Sequence, residues 1–87
     1  SNQAMAPSLQ MKAANPLSGI GSIQYQLNDA KGKMEIYNLM GQSVGQYNLT
    51  SSQGFILIDS NDFASGQYVV SITNSNGQRG SLPLIIQ

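Results

Sequence analysis

The sequence predicts an all-β fold, a seven-stranded antiparallel β-sandwich. Seven short apolar segments recur at intervals of roughly 8–12 residues with turn-forming residues between them, a spacing typical of sandwiches. In the clearest segment, Tyr68, Val70 and Ile72 alternate with Val69 and Ser71. This period of two, carried by aromatic and β-branched side chains, indicates a strand with one buried face. No stretch keeps a helical period; residues 62–65 could form one helical turn.

The strand that begins near Gly66 is expected to be central. Gly66 stands where the chain needs a positive φ to enter the strand. Tyr68 follows a corner, which predicts a tyrosine corner whose hydroxyl bonds to the backbone a few residues upstream. Phe63, just before this corner, is expected in the core.

The other predicted strands cover residues 8–13, 22–27, 33–38, 43–49, 55–59 and 78–86. The first and last are expected at edges, the last because it contains Pro83. Inward positions of the inner strands are Ile23, Tyr25, Leu27, Met34 and Ile36. Because Tyr25 and Tyr68 occupy inward positions, we expect the tyrosines to serve the core rather than a sugar-stacking surface.

Turns and irregularities follow from local chemistry. Gly41 is expected at positive φ in the turn 38–42, and Asn76-Gly77 is a strong hairpin signal. Val44 and Leu49 differ in parity, which predicts a bulge near residue 45 or 46. The apolar run 55–58 fits a strand covered on both faces, or partly so. No internal repeat is evident.

Composition argues against several functional classes. The chain has 87 residues, with four basic and four acidic side chains and neither cysteine nor histidine. Nucleic-acid binding needs a dense basic face, and most metal and nucleophilic sites need His or Cys. No run approaches the roughly 18 apolar residues of a membrane span. The closest carboxylates, Asp59 and Asp62, favour turn capping over a calcium site. We therefore expect no enzyme activity, no cofactor, no metal, no nucleic-acid partner and no transmembrane segment.

A set of short motifs occurs in a recognisable order. In sequence they read Asn15-Pro16, Ile23-x-Tyr25-x-Leu27, Ile36-Tyr37-Asn38-x-x-Gly41-Gln42-x-Val44, Ile58-Asp59 and Phe63-Ala64-Ser65-Gly66-Gln67-Tyr68, followed by an apolar last strand. From about residue 9 to residue 87 the chain resembles the type A C-terminal sorting domain of proteins exported by the type IX secretion system of Bacteroidetes. It departs from that family at Ala14, usually proline, and in having no lysine just before the last strand.

The resemblance implies an immunoglobulin-like sandwich that is a non-catalytic export and sorting signal. Such a domain directs a larger cargo, its N-terminal domains in the same chain, across the outer membrane. Its implied partners are the type IX translocation machinery and a sortase-like protease that removes it and attaches a surface anchor. The implied location is the periplasm in transit, then the outer-membrane surface or the exterior.

Most motif residues are expected to be structural, namely Asn15, Pro16, Tyr37, Asn38, Gly41, Gln42, Phe63, Gly66 and Tyr68. Partner recognition is assigned by hypothesis to the last strand, through its addition to a partner's sheet. The residues concerned are Leu82, Pro83, Leu84, Ile85, Ile86 and Gln87. The alternative is an immunoglobulin- or fibronectin-like stalk or carbohydrate-binding module. Residues 1–7 are expected to be an expression scar and linker, and residues 8–87 the domain.

Overall fold

The computed structural model describes residues 9–87, which form two antiparallel sheets. The strands are β1 (Gln10–Ala13), β2 (Ile20–Gln26), β3 (Gly32–Asn38), β4 (Ser43–Leu49), β5 (Gln53–Asp59), β6 (Gly66–Asn74) and β7 (Arg79–Ile86). One sheet has the order β1-β2-β5 and the other β4-β3-β6-β7. The predicted seven-stranded sandwich is confirmed, with β6 inside its sheet and β1 and β7 at edges. The expectation for residues 1–7, and the start of the first strand at residue 8, lie outside the described residues.

The core lies between the two sheets and uses alternate positions of the strands. All the inward positions predicted for β2, β3 and β6 are buried. The buried apolar residues are Leu17, Ile23, Tyr25, Leu27, Met34, Ile36, Leu49, Ile58, Tyr68, Val70, Ile72, Leu84 and Ile86. Period-two patterning located these residues because each strand turns one face to the opposite sheet.

The corner that leads into β6 is a tyrosine corner. The Tyr68 hydroxyl donates to the Ala64 carbonyl at 2.5 Å, and the Tyr68 ring meets Phe63 edge to face with centroids 5.8 Å apart. Phe63 is partly buried and packs against the core rather than inside it. Gly66 has φ of 155°, the positive value expected.

Strand β4 contains the predicted bulge. Ile36 pairs with Gly45, whereas Tyr37 pairs with Ser43, so Val44 has no partner on β3. Leu49 is buried and Val44, at the bulge, is 43% exposed, so only one of the two residues whose parity predicted the bulge lies in the core. The bulge lies next to the predicted position.

Full cover of β5 on both faces, one of the two interpretations that its apolar run allowed, is wrong. β5 is an edge strand whose outward side chains Phe55 and Leu57 are 61% and 63% exposed. Within residues 9–87 no further layer packs on the outer face of the three-stranded sheet, so only one face of β5 reaches the core. The helical turn is a 3-10 helix at Ser60–Asp62, slightly earlier than predicted.

The sandwich has two distinct ends. The upper end carries the β3–β4 turn, the 3-10 helix, the start of β6 and the finish of β7, because Asn38 pairs with Tyr68 and Tyr68 with Leu84. The lower end carries the start of β1, the β2–β3 turn and the β6–β7 turn. The first described strand therefore starts at the end opposite to the one where the last strand finishes.

Candidate recognition surface

The last strand divides the six predicted recognition residues between its two faces. Leu84 and Ile86 are fully buried and Leu82 is partly buried against the core. Ile85 is 44% exposed, and Pro83 and Gln87 are exposed. A partner that meets the folded domain can therefore contact Pro83, Ile85 and Gln87, while the other three side chains stabilise the sandwich.

The outer edge of β7 is covered by the chain segment Asn15–Leu17. The Asn15 side chain donates to the Pro83 carbonyl at 2.7 Å and accepts from the Ile85 N–H at 2.8 Å. The Leu17 N–H donates to the Ile85 carbonyl at 2.7 Å, and the Gln87 N–H donates to the Leu17 carbonyl at 3.0 Å. Between Pro83 and Gln87, four backbone groups that a strand added at this edge would use are thus already paired.

Outward side chains of β3, β6 and β7 form an uncharged row next to this edge. Tyr37 lies opposite Val69, and Val69 lies opposite Pro83. Ile85, two residues beyond Pro83, points to the same face. We call Tyr37, Val69, Pro83 and Ile85 the outer band. Sequence patterning placed each of these residues on its strand but could not show that the strands lie side by side.

The charged residues Lys33 and Glu35 lie on the same face of β3 as Tyr37 and precede it on the strand. The Tyr37 hydroxyl, together with Ser43 and Lys33, lowers the pKa of Glu35. The Glu35 carboxylate in turn raises the pKa of Tyr37. Lys33 Nζ is 4.0 Å from Glu35 Oε1 on the solvent face, so this is an exposed pair of small energetic consequence.

The turn after β3 is closed by the side chain of Asn38. Its Oδ1 accepts from the N–H groups of Met40 at 2.9 Å and Gln42 at 3.0 Å, and its Nδ2 donates to Gln42 Oε1 at 2.9 Å. The Asn38 N–H donates to the Gln42 carbonyl and the Gly41 N–H to the Asn38 carbonyl, each at 3.0 Å. Gly41 has φ of 82°, as predicted. The hydrogen bonds and the positive φ therefore explain why this turn contains Asn38, Gly41 and Gln42.

The turn after β6 repeats this arrangement. Asn74 Oδ1 accepts from the N–H groups of Asn76 and Gln78, both at 3.0 Å, and Asn74 Nδ2 donates to Gln78 Oε1 at 2.8 Å. Gly77 has φ of 84°, so the hairpin signal at Asn76-Gly77 is confirmed. The expectation of no internal repeat missed this pair; the sequence signal is Asn-x-x-Gly-Gln, which occurs at both turns.

Of the two acidic residues at the 3-10 helix, Asp59 has a local structural role. Asp59 Oδ1 accepts from the Asn61 N–H at 2.9 Å and caps the helix, which is the capping function predicted for it. In the part of the chain that the structure describes, no three His, Cys, Asp or Glu side chains group as metal ligands would. No helix among residues 9–87 has the length and apolarity needed to cross a membrane.

Comparison with known proteins identifies a family that matches most of the chain. Neither the curated proteins nor the solved structures contain a match to this chain. The family model described as "Secretion system C-terminal sorting domain" matches residues 14–87, which includes the Asn15–Leu17 segment, both Asn-capped turns and all of β7. Because the match extends over most of the chain, the protein belongs to the C-terminal sorting domains of the type IX secretion system.

Proposed function

We propose that residues 8–87 are the export and sorting signal of a larger protein whose cargo domains precede them in the same chain. The observation that carries this proposal is the family match over residues 14–87. A sorting domain of this family implies export across the outer membrane by the type IX machinery, to the surface or the exterior. Domains of this family are in general not catalytic.

The finer course of export belongs to the same proposal. The cargo protein passes through the periplasm, where the translocation machinery recognises the domain. A sortase-like protease then cleaves the domain off and joins the cargo to a surface anchor. The separation of the two ends supports this course, because β1 starts at the lower end while β7 finishes at the upper end.

Recognition is assigned to the last strand, Leu82–Gln87. In the folded domain the machinery meets the outward side chains Pro83, Ile85 and Gln87, and the outer band extends this surface across β6 to Tyr37. Addition of β7 to a partner's sheet, the mode favoured by the sequence, requires the Asn15–Leu17 segment to leave its four hydrogen bonds first. Contact through side chains requires no such change.

The direct test is a reporter fusion. Residues 8–87 are joined to a periplasmic reporter in a bacterium that has a type IX system, and the reporter is measured in the periplasm, on the surface and in the medium. We expect the reporter outside the outer membrane, and retention in the periplasm would refute the export role. Deleting residues 84–87 also removes core side chains, so the sharper variant is Pro83→Ser with Ile85→Ser, which leaves Leu84 and Ile86 in place. We expect this variant to fold and to be exported less.

The alternative role as a stalk or carbohydrate-binding module is not favoured by the tyrosines. Tyr25 and Tyr68 are buried, and Tyr47 packs against the core. Tyr37 remains on the outer face, next to Val69 rather than a second aromatic ring. A stacking platform for a sugar normally needs an accessible aromatic surface, and a glycan-binding screen that found a ligand lost in Tyr37→Ala would restore this alternative.

A further inference from the structure

Two turns with the same frame differ at their two tip residues. In each turn an asparagine side chain accepts from two backbone N–H groups and a glycine takes a positive φ. The tip of the β6–β7 turn is Ser75-Asn76, whereas the tip of the β3–β4 turn is Leu39-Met40. The chain itself therefore demonstrates that this frame forms with polar residues at the tip.

The polar tip forms hydrogen bonds with another part of the domain, whereas the apolar tip is exposed. The Ser75 N–H donates to Asp29 Oδ2 at 3.0 Å, and the Ser75 hydroxyl donates to the same oxygen, which ties the turn to the β2–β3 connection. Leu39 and Met40 are 68% and 83% exposed and lie outside the core cluster. Two large apolar side chains held in water by a hydrogen-bonded frame gain nothing from the hydrophobic effect in the isolated domain.

The position of the apolar tip connects it to the last strand. Leu39 and Met40 lie at the upper end, directly beyond Tyr37 of the outer band and at the end where β7 finishes. The start of β1, where the preceding chain joins the sandwich, is at the opposite end from this tip. The tip therefore extends the surface that the proposed function assigns to the export machinery.

Charge is unevenly divided between the two ends of residues 9–87. Lys31, Lys33 and Arg79 lie in or next to the lower-end turns, and Lys12 lies within β1. The acidic residues Asp59 and Asp62 lie at the upper end, as the N-cap and the last residue of the 3-10 helix, whereas Asp29 lies at the lower end in the β2–β3 connection. Without basic groups, the upper end is unsuited to anionic lipid headgroups. An isologous contact of two copies through this end would bring the same carboxylates together.

We propose that Leu39 and Met40 insert into an apolar recess, rimmed by basic rather than acidic groups, on a protein of the export machinery. This inference rests on the proposed function and adds a second contact to the one made by β7. Exposed anchors that fill a pocket contribute most of the affinity of many protein interfaces, and a basic rim would complement Asp59 and Asp62.

The test replaces the apolar tip Leu39-Met40 with the residue types of the polar tip Ser75-Asn76. The double variant Leu39→Ser, Met40→Asn is made in the reporter fusion, with Leu57→Ser as the matched control, because Leu57 is 63% exposed on the outer face of the other sheet. We expect export of the double variant to fall at least about tenfold and export of the control to stay at the wild-type level. The melting temperature of each 87-residue chain is measured in parallel, and we expect it to be unchanged in the double variant.

The outcomes separate this inference from the proposed function. If the wild-type fusion stays in the periplasm, the export role itself fails. If the wild type is exported and the double variant equally so, the export role stands and the inference about the tip is overturned. An equal loss of export in Leu57→Ser would also overturn it, because the effect would then reflect any lost apolar surface.

A second measurement keeps the test valid if the double variant folds poorly. A photo-crosslinking residue is placed at position 40, and separately at position 76 in the matching turn, in otherwise unaltered fusions. We expect a crosslink from position 40 to an identified component of the export machinery and none from position 76. A product the size of two fusion chains, or equal products from both positions, would overturn the proposal.

Discussion

The Oδ1 atom of Asn15 accepts a hydrogen bond from the backbone N–H of Ile85 at 2.8 Å, joining residues 70 positions apart in the chain. The Nδ2 atom of the same side chain donates to the Pro83 carbonyl. One amide thus covers the exposed edge of β7 where a neighbouring strand would pair. Uncovered edges of this kind favour association with other chains, so the asparagine stabilises the domain and also protects its last strand.

Replacing Asn15 by alanine should lower stability and uncover this edge. Two hydrogen bonds are lost at an exposed position where water can replace them, so we expect a loss of about 1 kcal/mol in the free energy of unfolding. For a domain of this size that corresponds to roughly 4–8 °C in melting temperature. We also expect more self-association, measured by light scattering. Asn48→Ala, at an exposed position of β4, is the control; an equal effect there would contradict the special role of Asn15.

Replacing either turn glycine by alanine should lower the free energy of unfolding by the same amount. Gly41 and Gly77 have φ of 82° and 84°, and an added Cβ would meet no atom within 4 Å at either position. The penalty is therefore conformational, about 1–2 kcal/mol for a left-handed residue with a Cβ. Chemical denaturation of Gly41→Ala and Gly77→Ala should give equal losses within a few tenths of a kcal/mol. A clear difference would mean that the two frames are not energetically equivalent.

Removal of the Tyr68 hydroxyl tests the tyrosine corner. Tyr68→Phe keeps the ring and its contact with Phe63 but deletes the hydrogen bond to the Ala64 carbonyl. We expect a loss of about 0.5–1.5 kcal/mol in the free energy of unfolding. Tyr37→Phe is the control, because its hydroxyl meets only the exposed Glu35 carboxylate on the solvent face, where water can replace it, and it should change stability little. Wild-type stability in Tyr68→Phe would show that the corner does not depend on this bond.

The stability of the domain should depend on the protonation of Asp29. The Ser75 hydroxyl, followed by the Ala30 N–H and the Ser75 N–H, donates to the carboxylate and lowers the pKa of Asp29 in the folded state. A lowered folded-state pKa stabilises the protein above the ordinary carboxyl pKa, and this contribution is lost as the pH falls through the folded-state value. The free energy of unfolding should therefore fall below about pH 4, and less steeply in Asp29→Asn.

A carboxyl titration followed by NMR isolates this effect. In Ser75→Ala the pKa of Asp29 should rise, because its largest stabilising hydrogen bond is gone. The pKa of Glu35 is also lowered, so its protonation contributes to the same loss of stability at acid pH. Its titration in Ser75→Ala should be unchanged, since the groups that lower its pKa are Tyr37, Ser43, Lys33 and Gln46 and do not include Ser75. A pKa of Asp29 that stayed constant would contradict the role of Ser75.

The sequence alone determined the local features of this domain. Alternation along residues 68–72 located a strand and its buried face, and the glycines at 41 and 77 located turns. These signals are readable because a side chain's direction in a strand and the φ of a turn residue depend on near neighbours. The motif order also pointed to the family.

Only the tertiary structure decided which surfaces remain available. The apolar segment containing Phe55 and Leu57 became an edge strand with one face in water, and Leu82–Gln87 was divided between core and surface. The pairing of Asn15 with Ile85, and the row from Tyr37 to Pro83, depend on which strands become neighbours. Strand order is set by contacts between distant parts of the chain, so a local pattern cannot reveal which edges and faces are left for a partner.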